Sequence, residues 1–222
     1  MSRRLAGLYR SAASRYAIIG MAVIILFGVG VVIGTLVNRV VAPSSDATSP
    51  DAGLPSGGAV VNPPHLLQDF TLTSHNGDPM RLSDLHGRAV LMFFGYTHCP
   101  DVCPTTLADY TRVKQALGSA ADEVAFVFIS VDGKRDTPDV LAAYLSRFDS
   151  SFIGLTGDEA TLRQMGQEYG LFFENETVDD QNYFVQHTSP SFLVDRAGYL
   201  RRVYFYGARP DVIAAGIQQI LE

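Results

Sequence analysis

Gly95-Tyr96-Thr97-His98-Cys99-Pro100-Asp101-Val102-Cys103-Pro104 contains both cysteines of the 222-residue chain. The apolar run Ala89 to Phe94 (AVLMFF) precedes it, and Leu107, Tyr110, Val113 and Leu117 follow it at helical spacing. A continuous apolar run of strand length fits a central strand covered on both faces. Two thiols four positions apart, at the end of such a strand and the start of a helix, can meet. They can close a disulfide or chelate one soft metal ion. The thiolate is the reactive form, and a helix N-terminus favours it electrostatically. The flanking prolines and the polar Thr97, His98 and Asp101 suit an exposed loop better than a buried structural pair.

Working outward, Asp69 to Leu72 alternates polar and apolar and meets His75-Asn76-Gly77-Asp78, a hairpin signal, with Met80 to Leu82 as the return strand. Pro104 fits the first turn of a helix, where its missing N–H costs nothing. Val124 to Val131 (VAFVFISV) is a second buried strand, broken by Asp132-Gly133. Thr137-Pro138 opens a helix with a capping hydroxyl and a proline at its first position. That helix should reach about Arg147 with Val140, Leu141, Tyr144 and Phe148 inward, and Asp136 is read as a helix-entry residue. Phe152 to Leu155 is a short strand, and Thr156-Gly157-Asp158 opens a helix stopped by Gly170. Leu171 to Val185, acidic in its middle, looks like an inserted hairpin. Phe192 to Val194 and Leu200 to Tyr206 are paired strands, and Pro210 to Leu221 is a closing helix. Strands alternating with helices, then a hairpin and a helix, give an α/β fold: a mixed sheet with helices on both faces. A loop at the C-terminal end of a central strand is where such sheets place their chemistry. The aromatic residues Phe126, Phe128, Phe172, Phe173, Tyr204, Phe205 and Tyr206 are expected to pack the core and the sheet.

Ahead of this domain, Ala17 to Val37 is 21 residues without a charge, long enough to cross a bilayer. Arg3, Arg4, Arg10 and Arg15 precede it, which puts residues 1–16 in the cytoplasm and the remainder outside. The run is longer than the apolar region of a cleaved signal peptide, so 17–37 reads as an uncleaved, single-pass anchor in the cytoplasmic membrane. Residues 38–63, rich in Pro, Ser, Gly and Ala, read as a flexible linker. The domain proper is then 64–222. From Pro63 onward the chain has 12 basic and 21 acidic residues, a net charge of −9. That excludes the positive footprint of a nucleic-acid-binding domain.

The cysteine stretch, Val131-Asp132-Gly133-Lys134-Arg135-Asp136-Thr137-Pro138, and Tyr183-Phe184-Val185-Gln186-His187-Thr188 together resemble the Sco/SenC family of membrane-anchored, thioredoxin-like proteins. The resemblance covers about Pro64 to Glu222. It implies a thioredoxin-like fold outside the membrane, one copper ion per domain, and a role in assembling the copper centre of cytochrome c oxidase subunit II. Carried over by position, Cys99, Cys103 and His187 are the copper ligands, and Asp132 is a supporting acidic residue near them. Two thiolates and an imidazole are a soft, low-coordinate set suited to copper(I). A structural zinc site would ask for a fourth protein ligand. Partners implied are the oxidase subunit, a copper donor protein and a thioredoxin-like reductant. The alternative is a thiol–disulfide reductase acting through Cys99 and Cys103, towards which Ser189-Pro190-Ser191 points because a cis-proline abuts the dithiol in such enzymes. A peroxiredoxin-type peroxidase fits less well, since the spacing around Thr97 and Cys99 is unlike that motif. His98 is expected in loop hydrogen bonds, Asp101 as a turn residue or a charge beside the thiols, and His65, His75 and His86 in solvent.

Overall fold

The computed structural model describes residues 57–170, 173–177, 183–187 and 190–222. Its elements run β1 (Gly58–Leu66), β2 (Thr71–Ser74), β3 (Pro79–Arg81), β4 (Ala89–Gly95), α1 (Val102–Leu117), β5 (Val124–Ser130), α2 (Pro138–Leu145), β6 (Ile153–Thr156), α3 (Glu159–Gly166), β7 (Phe173–Thr177), β8 (Tyr183–His187), β9 (Ser191–Val194), β10 (Tyr199–Tyr204) and α4 (Pro210–Leu221). Eight strands form one sheet in the order β1-β10-β9-β4-β5-β6-β2-β3, and β7 and β8 form a separate hairpin. β4, β5 and β6 are mutually parallel, while β9 lies antiparallel to β4. The mixed sheet is the one expected from the order of the elements.

Strict alternation along the central strands builds two cores. Val90, Met92 and Phe94 of β4 and Ala125, Val127 and Ile129 of β5 face one side, with Leu162 and Met165 of α3. Leu91, Phe93, Phe126 and Phe128 face the other, under Leu107 and Tyr110 of α1, Leu141 and Tyr144 of α2, and Ile213 and Ile217 of α4. Helices therefore cover both faces, which is why β4 and β5 read as unbroken apolar runs.

Three expectations need correction. The chain enters the sheet before Pro64: β1 pairs with β10 from Gly58 onward, with a register shift between Val60 and His65. Asn62, Pro63 and Pro64 fall within that shift, and an edge strand tolerates prolines that a central strand could not. Val140 faces solvent, and α2 buries Leu141, Tyr144 and Leu145 instead. Phe205 and Tyr206 are about half exposed, because β10 ends at Tyr204 and the chain turns there into α4. Among the described residues no helix is long and apolar enough to cross a membrane; Ala17 to Val37 lies outside them.

Candidate metal and thiol site

β4 and β5 are parallel and in register up to Gly95 and Ser130, so the loops leaving them emerge side by side. Val131 N–H donates to the Gly95 carbonyl at 2.8 Å and holds the two exits together. The β4 exit carries the cysteines. Cys99 N–H donates to the Tyr96 carbonyl at 3.2 Å, closing a tight turn. α1 then starts at Val102, slightly earlier than Pro104, so that Cys103 lies in its first turn.

That first turn positions the sulfurs. Asp101 occupies the N-cap position but makes no side-chain capping bond. Instead the Cys103 backbone N–H donates to Cys99 Sγ at 3.4 Å. A helix N-terminus thus points an amide at the Cys99 sulfur, the placement that favours negative charge. No disulfide joins the pair; Cys99 is half-buried and Cys103 fully buried. The Cys103 thiol is pushed strongly up, first by its hydrogen bond with Cys99 and then by burial. The two thiols are therefore unequal: one reachable, and one held protonated beneath it.

Gly95 makes room for this. A Cβ there would lie 2.7 Å from Cys103 Sγ and 2.7 Å from the Phe128 ring. Gly95→Ala is expected to cost about 1–3 kcal/mol by overpacking and to displace Cys103. Thermal unfolding combined with thiol titration of the native chain checks it: a lower melting temperature and a faster-reacting Cys103 are expected, and an unchanged Cys103 would show that the neighbouring rings yield instead.

The β5 exit contributes what the sequence reading missed. Asp136 is fully buried, and it does not cap α2; Thr137 does, accepting the Val140 N–H at 3.5 Å. Asp136 reaches across to the cysteine loop. It accepts the Thr97 N–H at 2.8 Å, the Thr97 hydroxyl at 2.6 Å and the Ser130 hydroxyl at 2.6 Å. The only hint in the sequence was that Asp136 precedes a better cap in Asp-Thr-Pro. Asp132, also buried, pairs with Arg135, whose guanidinium lies 5.9 Å from the centre of the Tyr96 ring. Arg135 thus lies between Asp132 and Tyr96 of the cysteine loop.

His98 is exposed and sits in loop hydrogen bonding as expected, its Nδ1 3.1 Å from Thr97 Oγ1. Asp101 is an exposed turn residue whose carbonyl accepts the Thr105 N–H. His65 and His86 are exposed; His75 is half-buried, its Nδ1 accepting the Gly154 N–H at 3.0 Å. His187 ends β8, paired with Phe173. Four residues later Ser191 opens β9 opposite Phe93, two residues before Gly95. Four residues span at most about 14 Å, so the His187 backbone lies within that reach of Ser191, the residue paired with Phe93 of β4. Its side chain and the Ser189-Pro190 bond fall outside the described residues. Among the described residues no three His, Cys, Asp or Glu side chains cluster as a metal site. A groove of about 580 Å³ lined by His65, Gln68, Met165 and Glu168 lies away from the cysteine loop. Its two acids are already engaged: Glu168 accepts the Gln68 N–H and meets His65 at 3.0 Å, and Asp69 accepts the Ser83 N–H and hydroxyl.

Known proteins resemble this chain in sequence and in fold. The family model described as SCO1/SenC matches residues 59–222. An SCO2-like protein of Rickettsia felis is 37% identical over 148 residues, covering 65% of this chain and 72% of its own. The structure of Bradyrhizobium japonicum ScoI with copper bound superposes with a TM-score of 0.65 at 38% identity, covering 70% of this chain and 99% of that one. Apo Sco1 of Thermus thermophilus gives a TM-score of 0.67 at 36% identity, covering 73% and 95%. These likenesses bear out the thioredoxin-like mixed α/β fold. With its cysteine loop, its two-sided sheet and this match over most of its length, the chain belongs to the SCO1/SenC family.

Proposed function

We propose that this chain binds one copper ion through Cys99, Cys103 and His187 and delivers it to the copper centre of cytochrome c oxidase subunit II. It does so as a domain held outside the cytoplasmic membrane by the anchor 17–37. The observation that carries the reading is the unequal dithiol: Cys99 half-buried at a helix N-terminus, and Cys103 buried beneath it and hydrogen-bonded to it. Copper-bound ScoI of Bradyrhizobium japonicum, similar over 70% of this chain, supports the metal.

Two thiolates suit copper(I), and a nearby imidazole completes a three-donor set. Because the Cys103 thiol is held protonated, copper binding must release that proton. Cys99 is the reachable ligand. An incoming thiolate of the oxidase subunit exchanges there first, and Cys103 lets go second. The acidic domain favours the approach of a cation or a basic partner surface.

The same asymmetry suits a second reading. A Cys99 thiolate attacks a partner disulfide, forming a mixed disulfide and releasing one partner thiolate. Cys103 then gives its proton to the released thiolate and attacks Cys99 Sγ, closing the Cys99–Cys103 disulfide and releasing the second thiolate, and a thioredoxin-like donor supplies two electrons and two protons to reset the pair. Anaerobic titration of the purified full chain with copper(I), beside His187→Ala, separates the readings. One tightly held equivalent, weakened at least about tenfold (about 1.4 kcal/mol) in His187→Ala, is the expected result. A chain that loses copper to a moderate chelator while its disulfide is readily reduced would overturn delivery and leave the reductase.

A further inference from the structure

Among the described residues, Asp136 is the buried carboxylate that bonds directly to the cysteine loop, and neither helix capping nor ion pairing with Lys or Arg explains it. Its partners are all donors. The Ser130 hydroxyl accepts the Asp132 N–H at 3.0 Å, so its own proton goes to Asp136. The Thr97 hydroxyl and N–H supply the other two bonds, and Thr97 is two residues from Cys99. His98 Nδ1 lies 3.8 Å from Oδ1 at the solvent side. This is the bonding pattern of a carboxylate used as an acceptor. It welds the β5 exit to the β4 exit immediately before the thiols, and its charge is not dispersed by water.

We propose that Asp136 is a positioning residue that fixes the Cys99 loop and, through its buried charge, biases a bound copper ion towards copper(II). The inference rests on the copper reading above. Copper(I) with two thiolates and a neutral imidazole has a net charge of −1, and copper(II) with the same ligands has none. A fixed negative charge nearby therefore disfavours the reduced site, and a low-dielectric interior strengthens that preference. The loop also stays in place as the metal changes charge, because Thr97 is bonded twice to Asp136.

The test uses the full chain, with Asp136→Asn to remove the charge while keeping the shape, and Asp136→Ala to remove both. Copper(I) and copper(II) affinities are measured separately by chelator competition, and Thr97 amide exchange is measured on the metal-free protein. In Asp136→Asn the ratio of copper(II) to copper(I) affinity is expected to fall about tenfold, which for one electron is a rise of about 59 mV in potential. In Asp136→Ala the Thr97 amide is expected to exchange at least about tenfold faster. A residue that only held the loop would change both affinities alike, so an unchanged ratio in Asp136→Asn overturns the electrostatic role. Unaltered Thr97 exchange in Asp136→Ala overturns the clamp. A parent chain that binds neither copper ion overturns the copper reading itself, whereas binding by the parent with an unshifted ratio in the variant overturns this inference alone.

Discussion

Cys99→Ser is expected to weaken copper(I) binding by about a hundredfold or more while leaving the fold standing. The size follows from ligand accounting. Structural zinc in four-ligand peptides binds with about 10–16 kcal/mol, so one ligand is worth roughly 3 kcal/mol, or about two orders of magnitude in affinity. The survival of the fold follows from the local geometry. Cys99 is half-buried, and its Sγ serves the chain by accepting the Cys103 N–H at the start of α1. A serine hydroxyl can accept from an amide in that position, as it does at helix N-termini generally. Cys103 is the poorer first choice, because a serine there would bury a hydroxyl in the apolar core that holds Phe93 and Phe128. The measurement is anaerobic competition against a copper(I) chelator, beside a thermal melt. Unchanged affinity would remove Cys99 from the ligand set and undo the delivery mechanism, which begins at that sulfur.

Much of this site was legible because its chemistry and its framework are both local. β4 and β5 announce themselves as apolar runs, since both faces are covered. Thr137-Pro138 announces a helix start, because the hydroxyl and the ring each satisfy a first-turn requirement within a few residues. What escaped was non-local. Asp136 looks like one more polar residue at a helix entrance; only the parallel register of β4 and β5 brings it against Thr97, 39 positions earlier. β1 escaped for a different reason: its glycine and two prolines are tether-like in composition, and its pairing with β10 comes from the far end of the chain. Val140 and Leu141 are both apolar and adjacent, so spacing alone could not say which faces inward, and the sheet chose Leu141. Phe205 and Tyr206 were read as packing residues because aromatic composition carries no information about where a strand ends.

Phe128→Ala should show how far the site depends on the framework that the sequence did reveal. Phe128 is fully buried on β5, its ring 5.1 Å from Phe93 and 5.9 Å from Tyr144 between centroids. It also flanks Gly95 on the side where Cys103 Sγ approaches. Truncating a buried phenylalanine costs about 3–5 kcal/mol, partly as lost transfer energy and partly as the cavity left behind. At about 2–4 °C per kcal/mol for a domain of this size, the melting temperature is expected to fall by roughly 6–20 °C. The cavity opens beside Cys103, so the thiol gains both room and water. Its burial was one of the causes holding it protonated, and that restraint weakens. Metal-free Phe128→Ala should therefore react faster with a thiol reagent at Cys103 at temperatures well below its own melt. Phe128→Leu separates the two effects: it refills much of the volume, so it should recover much of the stability and return Cys103 to slow reaction. If Phe128→Ala melts early but Cys103 stays as unreactive as in the parent, the helix α1 contacts alone keep the thiol buried, and the Phe128 ring supports the sheet without guarding the sulfur.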